Sequence, residues 1–222
     1  MATDELIANL VRDLEPVRPL PLPRVRFANW GLIVGTTAAV VMAAIGPRSN
    51  LGASLSTLTF QAHVWLLFVC AVTAAAAALV LVVPGERMTR WRRVAPMAAG
   101  LVWMLWLLGE LWVFAANGNE LTPGVAGVAC VAKALAFAVV PWIGLMIMLG
   151  RGAPGDIGTT MAFAGLAAAA VGALGVELTC PLTSPSHLLA WHVTPVIAAV
   201  VTNVVLGRAM FTRIAGAVRP GR

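Results

Sequence analysis

The residues of this chain that could do chemistry are concentrated in one short segment. Residues 177–192 read ELTCPLTSPSHLLAWH and carry a carboxylate, a thiol and two imidazoles: Glu177, Cys180, His187 and His192. Thiolates and imidazoles are the ligands that zinc and softer metal ions prefer in proteins. A thiol can also bond to a second thiol, and Cys130 is a candidate partner for Cys180. The segment is therefore a candidate for metal-binding or redox chemistry.

Three interpretations of these residues are open. Cys130 and Cys180 could form a disulfide or a reversible thiol pair, which requires Cα atoms within about 7 Å. Together with His187 and His192 they could instead hold a metal ion, although no CxxC or HxxxH spacing is present. Residues five apart on an α-helix point about 140° away from each other, so the two histidines would share one ion only if the helix were distorted. In the third interpretation the histidines bond to backbone groups and the cysteines fill space.

The composition indicates the elements that must position these residues. The chain has 222 residues, of which 60% are hydrophobic and 11% charged, and its mean hydropathy is +0.90. A soluble domain carries about 25% charged residues. We therefore expect an all-α membrane protein, a six-transmembrane-helix bundle with a short cytoplasmic N-terminal amphipathic helix. The apolar stretches long enough to cross a bilayer are 27–46, 60–83, 95–116, 124–149, 157–176 and 187–206.

The distribution of positive residues predicts the orientation of the bundle. Thirteen of the arginines fall on one side of the six stretches, and only Arg48 falls on the other. Positive residues accumulate in cytoplasmic loops, so both termini should be cytoplasmic and residues 177–192 should face outward. The same flanking positions account for the net charge of +6, and we expect no direct binding of nucleic acid. The predicted domains are a cytoplasmic tail over 1–26, a transmembrane domain over 27–206 and a basic cytoplasmic tail over 207–222.

Two charged residues lie inside predicted spans. Glu110 and Lys133 are each roughly 10–13 Å below the outer surface at about 1.5 Å per residue. A lone charge at this depth is costly. The matched depth on consecutive helices predicts a structural ion pair between Glu110 and Lys133. The alternative is that Lys133 extends outward to the surface and Glu110 is protonated.

The N-terminal tail has the pattern of a short amphipathic helix over residues 3–15. Its apolar residues fall on one face, and Pro16 ends it before a proline-rich linker that extends to residue 26. Four carboxylates against Arg12 make the helix acidic, so a basic protein groove would attract it, whereas anionic lipid would repel it. Docking on the cytoplasmic face of the bundle is the alternative. The predicted partner-binding residues are Leu6, Ile7, Leu10, Val11, Asp13, Leu14 and Pro16.

Two motifs give the chain a family resemblance. One is the tail pattern Leu-x-x-Asp-Leu-x-Pro-Val at residues 10–17, and the other is Cys-Pro-Leu at 180–182 followed by His-Leu-Leu-x-Trp-His at 187–192. With six spans, the chain resembles the NrsF-type family of bacterial inner-membrane anti-sigma factors. The resemblance implies that the tail holds an extracytoplasmic-function sigma factor inactive at the membrane. It also implies that two outward cysteines, matching Cys130 and Cys180, sense heavy-metal or oxidative stress.

Other classes of membrane protein fit the sequence less well. A small transporter would favour broken helices and internal repeats, and neither is clear in the sequence. A membrane redox or metal-binding protein is the other alternative to a transcription regulator. No nucleophile, base and orienting residue occur together, so we do not expect an enzyme. We expect no resident cofactor, although a heavy-metal ion could be bound transiently.

Overall fold

The described part of the chain is helical throughout. The computed structural model describes residues 3–12, 19–83, 89–122, 124 and 127–217, and within these ranges it contains no strand. Six of the helices are long and apolar enough to cross a membrane, which confirms the predicted all-α fold with six candidate spans. The α-helices are α1 Thr3–Arg12, α2 Pro23–Ile45, α3 Leu51–Leu55, α4 Leu58–Leu81, α5 Arg90–Ala116, α6 Gly127–Leu149, α7 Ile157–Thr179, α8 Pro185–Leu188 and α9 Thr194–Ala217, and a π-helical turn, Leu189–Val193, joins α8 to α9.

Three helices, α2, α5 and α9, extend at least four residues beyond their predicted apolar stretches. Helix α2 begins at Pro23 rather than at residue 27, because proline is preorganised for the first helical position. Helix α9 continues to Ala217, so most of the predicted tail over 207–222 is helical. No proline occurs in this stretch before Pro220, and a helix need not end where an apolar stretch ends. In the predicted N-terminal helix, residues 13–15 lie outside the described residues.

Helix α7 is the centre of the bundle, and its small residues allow its neighbours to approach closely. Helices α4, α6 and α9 pack around it. A Cβ atom added at Gly172 would lie 2.7 Å from the carbonyl oxygen of Ala134, and one at Gly175 would lie 2.2 Å from the ring of Phe137. Small residues are what bring helices together where lipid removes the hydrophobic drive for pairing. These two glycines therefore let α6 lie directly against the C-terminal half of α7.

The two ends of the bundle differ in chemistry. What we call the cysteine end comprises the start of α6, the end of α7, the connection over 180–184 and α8. The basic end comprises the start of α2, the end of α4, the start of α5 and the connection between α6 and α7. Because the helices alternate in direction, the chemistry-bearing segment at 177–192 meets the start of α6 at the cysteine end.

The structure does not bring Glu110 and Lys133 together, and the predicted ion pair is wrong. Glu110 bonds to His63 on α4 (Nε2 to Oε2, 3.0 Å), whereas Lys133 donates to the carbonyl oxygen of Thr179 (2.9 Å). The reason is the order of neighbours: α5 packs along α4, while α6 packs along α7 and α2. Equal depth on consecutive helices was therefore insufficient to pair the two charges.

Candidate metal and thiol centre

Four potential ligands meet inside the cysteine end. The Sγ atoms of Cys130 and Cys180 are 3.2 Å apart, and the Nε2 atom of His187 lies 3.5 Å from the first and 3.7 Å from the second. With His192, the four residues offer ligand atoms that all lie within 4.8 Å of one another, and all four residues are buried. Both cysteines are free thiols. The structure thus brings together the four residues that the sequence suggested.

The backbone around Cys180 is held by two cations at the end of α7. Arg48 binds the carbonyl oxygens of Glu177 and Pro181 through its guanidinium (both 3.4 Å), and its backbone N–H donates to that of Leu178 (3.0 Å). The ammonium group of Lys133 donates a hydrogen bond to the carbonyl oxygen of Thr179. A helix leaves its last carbonyls unpaired, and positive groups stabilise that end. Arg48, the one predicted outward cation, therefore fixes the segment that carries Cys180.

A π-helical turn removes the geometric objection to a shared site for the two histidines. His192 lies in the turn over Leu189–Val193, where hydrogen bonds run from residue i to i+5 instead of i+4. The extra residue in the turn brings positions five apart towards the same side of the helix. The rings of His187 and His192 are consequently 5.4 Å apart at their centroids. The distortion that an ideal α-helix would have required is present in this structure.

Glu177 orients His192, a role that the spacing of the sequence did not predict. Its Oε1 atom lies 3.1 Å from Nδ1 of His192, and both side chains are buried. This bond fixes the ring, and Nε2 is then the nitrogen available to the cluster. Within the described residues, Nε2 of His192 is buried and has no hydrogen-bond partner. In metal sites, the ring nitrogen of a histidine that does not bind the metal commonly donates a hydrogen bond to a carboxylate.

The cluster has the donors and the spacing of a tetrahedral metal site. Zinc takes thiolate sulfur at about 2.3 Å and imidazole nitrogen at about 2.0–2.1 Å, so neighbouring ligand atoms around one ion lie roughly 3.3–3.8 Å apart. The distances from Nε2 of His187 to the two sulfur atoms, 3.5 and 3.7 Å, lie in this range, whereas the Sγ–Sγ distance of 3.2 Å is roughly 0.6 Å shorter than two thiolates on one tetrahedral ion require. The orphaned nitrogen of His192 supplies the fourth donor. Two cysteines and two histidines therefore fit a borderline or soft divalent ion.

Cys180 lies at the C-terminal cap of α7, between two candidate spans. Burial on its own raises the pKa of the Cys180 thiol, but the neighbouring His192 and Cys130 lower it by more, so that the pKa falls to about 6. The lowered pKa favours the thiolate form of Cys180. The thiolate is the form that binds metals and attacks disulfides.

Trp191 covers the cluster on the side of α6. Its indole N–H donates to the carbonyl oxygen of Gly124 (3.1 Å). A Cβ atom added at Gly127 would lie 1.9 Å from the indole ring, so only glycine leaves room for it. The ring packs against the small apolar group formed by Cys130, Val176 and Cys180.

The third histidine, His63, belongs to a separate network. Trp103 donates its indole N–H to Nδ1 of His63 (2.8 Å). An indole N–H can only donate, so Nδ1 accepts and Nε2 carries the proton that is donated to Glu110. Trp106 donates to the other oxygen of the same carboxylate. Both ring nitrogens of His63 are thus occupied away from the cysteines.

The predicted partner-binding residues lie on α1 and beyond it. The side chains of Ile7 and Val11 are 52% and 58% exposed. Asp13, Leu14 and Pro16 lie outside the described residues, as do the side chains of Leu6 and Leu10.

Comparison with known proteins adds one match. No curated protein and no solved structure shows significant similarity to the chain. The family described as NrsF, negative regulator of sigma F, matches residues 10–212, which is nearly the whole chain. This match covers the acidic tail from Leu10, the six candidate spans and all four residues of the cluster. The chain therefore belongs to the NrsF family of negative regulators of a sigma factor.

Proposed function

We propose that this chain is a membrane-bound anti-sigma factor. It sequesters an extracytoplasmic-function sigma factor through residues 1–26 and releases it when metal or oxidative stress changes the state of Cys130 and Cys180. Membership of a family of sigma-factor regulators supports the general role. The observation that carries the specific proposal is the buried cluster of two cysteines and two histidines at the cysteine end.

The proposed location is the bacterial inner membrane, with both termini in the cytoplasm. Six apolar helices are compatible with a multi-pass protein. The thirteen positive residues of the cytoplasmic segments and the lone Arg48 on the other side support this orientation. In it, the cysteine end faces the periplasm, where a sensor would meet metal ions and oxidants before they enter the cell.

The tail is suited to binding a basic, partly apolar protein surface. Ile7 and Val11 are exposed on α1, so this part of its apolar face is not buried on the bundle. Asp4 and Glu5 in the first turn favour the helix and supply the acidic rim. Apolar contacts would provide affinity, and the carboxylates would steer the encounter with the sigma factor. A ten-residue helix is marginal alone in water, so binding would also complete its folding.

The cluster would sense metal by closing around the ion. Its ligands come from α6, from the end of α7, from α8 and from the π-helical turn. Binding requires deprotonated thiols, and the low pKa of Cys180 favours this state. Drawing four ligands towards one ion would move α6 and α9 relative to α7. We propose that this movement weakens the hold of the tail on the sigma factor.

Oxidation is the second candidate signal, and the contact between the two thiols favours it. The Sγ atoms of Cys130 and Cys180 are 3.2 Å apart, so little movement is needed for a disulfide. Forming the bond removes two protons and two electrons, which a peroxide or an exchanging disulfide would accept. Either signal would act on the same pair of residues.

Cysteine substitution tests the proposal in cells that carry a reporter for the sigma factor. Cys130→Ser and Cys180→Ser should each abolish the response to cadmium and to diamide while leaving repression intact. Cys70→Ser is the matched control, because Cys70 is also buried but lies on α4, where it contacts the carbonyl oxygen of Pro96. A normal response to both agents in either of the first two variants would show that the sensor assignment is wrong.

A further inference from the structure

A buried arginine lies at the basic end with part of its hydrogen-bonding capacity unused. Arg26, in the first turn of α2, is 3% exposed. Its Nη2 atom donates to the carbonyl oxygen of Leu79 (2.7 Å) in the last turn of α4, which helix geometry leaves unpaired. Within the described residues, its Nε and Nη1 atoms are buried and have no hydrogen-bond partner. Capping α4 therefore explains one side of this guanidinium and not the other.

Arg26 lines a cavity of about 220 Å³ between α2 and α6. Arg151, which follows α6 and is exposed, lines the same cavity, and Asn29 adds an amide group. The cavity is several times larger than the roughly 30 Å³ that one water molecule occupies in the liquid. It is therefore large enough for a small polar group to enter between the two helices.

The charge of this cavity is unbalanced. No acidic residue is among the described residues that line it, although two arginines do. A guanidinium keeps its charge in proteins, and burying a charge without a partner is costly. Among the described residues that line this cavity, no carboxylate is available to balance the charge. The planar fork of arginine matches the oxygens of a phosphate group, with two parallel hydrogen bonds.

We propose that the cavity lined by Arg26, Arg151 and Asn29 binds a phosphate group at the basic end of the bundle. Two sources supply this chemistry: the headgroup of an anionic phospholipid and a free phosphate compound. Basic pockets between membrane helices are known sites for anionic headgroups. The inference uses no residue of the cysteine cluster and does not depend on the identity of the sigma factor.

Native mass spectrometry of the purified full-length protein tests the site. Phosphatidylglycerol should be retained more strongly than phosphatidylcholine with the same acyl chains. Arg151→Gln and Arg26→Gln should each lower the affinity about tenfold, equivalent to about 1.4 kcal/mol. Arg90→Gln is the matched control, because Arg90 is exposed at the start of α5 and does not line the cavity. If Arg26→Gln fails to fold because it has lost the hydrogen bond that caps α4, the affinity of Arg151→Gln for phosphatidylglycerol is compared with that of Arg90→Gln.

A second arm of the experiment distinguishes the two sources. Inorganic phosphate alone, added to lipid-free protein, should raise the unfolding temperature in wild type and in Arg90→Gln but not in Arg151→Gln if the site takes free phosphate. If phosphate has no effect while phosphatidylglycerol binds with the expected pattern, the site takes the lipid headgroup. Equal retention of the two lipids together with no effect of phosphate would overturn the proposal. So would an equal loss of phosphatidylglycerol in Arg90→Gln and Arg151→Gln.

Discussion

At the scale of single residues, the contact between Glu177 and His192 distinguishes a prepared ligand site from a chance cluster. The bond from Glu177 to Nδ1 fixes the ring, and Nε2 is left buried without a partner in the described part of the chain. Leaving a buried polar group unsatisfied costs about 1–3 kcal/mol. A metal ion bound at the cluster would give this nitrogen a partner.

Glu177→Gln should weaken metal binding without removing a ligand. The amide of glutamine can still accept a hydrogen bond from His192. It lacks the negative charge that makes the imidazole a stronger ligand for a metal cation. Loss of such an outer partner lowers metal affinity by about 10–100-fold. Competition between the purified protein and a chromophoric chelator for Cd²⁺ measures the change. Glu120→Gln, an exposed carboxylate in the connection between α5 and α6, is the control; equal affinities in the two variants would refute the role of Glu177.

The types of the site residues could be read from the sequence, but their contacts could not. Cys130, Cys180 and the two histidines were candidates because thiols and imidazoles are rare in an apolar chain. These four side chains meet because α6 lies close to α7 and because the π-helical turn brings the two histidines together. No residue pattern predicted that turn. The carboxylate of Glu177 was visible in the same segment, but its pairing with His192 follows from this distorted helix. Glu110 was assigned the wrong partner because depth alone says nothing about which helices are neighbours.

At the scale of elements, the interface between α6 and α7 positions the two thiols. Cys130 lies on α6 and Cys180 caps α7, so their contact requires the two helices to remain close. Gly172 and Gly175 permit this approach along the C-terminal half of α7. Helix α7 is rich in Ala and Gly, and it is the most deeply buried of the six candidate spans. Gly31 and Gly35 of α2 differ from these glycines, because a Cβ added at either would meet no described atom within 4 Å apart from the neighbouring backbone of its own helix.

Gly172→Ala should disturb the centre through the backbone of α6. The added methyl would meet the carbonyl oxygen of Ala134 at 2.7 Å and Cβ of Ala138 at 3.1 Å, and neither atom can move without its helix. We expect a loss of about 1–3 kcal/mol in stability and slower bridging of Cys130 to Cys180 by a bifunctional thiol reagent. Thermal unfolding in detergent and the bridging rate measure the two effects. Gly109→Ala, where the Cβ meets nothing within 4 Å, should leave both unchanged; equal behaviour of the two variants would contradict the packing argument.

The helix α1 should fail to hold the sigma factor when its apolar face carries a charge. Val11→Asp places a carboxylate on the exposed apolar face, where burial in a partner groove would be costly. Constitutive expression of the reporter is the expected result. Ala8→Asp adds the same charge to the same helix away from that face and should leave repression intact. Unchanged repression in Val11→Asp would show that this face does not contact the sigma factor.

At the scale of the whole molecule, the proposed function requires the N-terminal tail and the cysteine end to face different compartments. Arg26 and Arg151 at the basic end and Cys180 at the cysteine end are separated by the length of the helical bundle. Charge counts and apolar lengths predicted that these residues lie at opposite ends of the bundle, because both respond directly to the membrane. The sequence predicted the exact limits less well, since α2 and α9 extend beyond their apolar stretches.

Cys180 is too deeply buried for a bulky reagent to report which side of the membrane the cysteine end faces. Exposed positions can replace it: Ser56 at the cysteine end and Ala153 at the basic end. A membrane-impermeant maleimide should label Ser56→Cys in intact spheroplasts, and should label Ala153→Cys only after the membrane is permeabilised. Labelling of Ala153→Cys in intact spheroplasts, with Ser56→Cys protected until permeabilisation, would contradict the account.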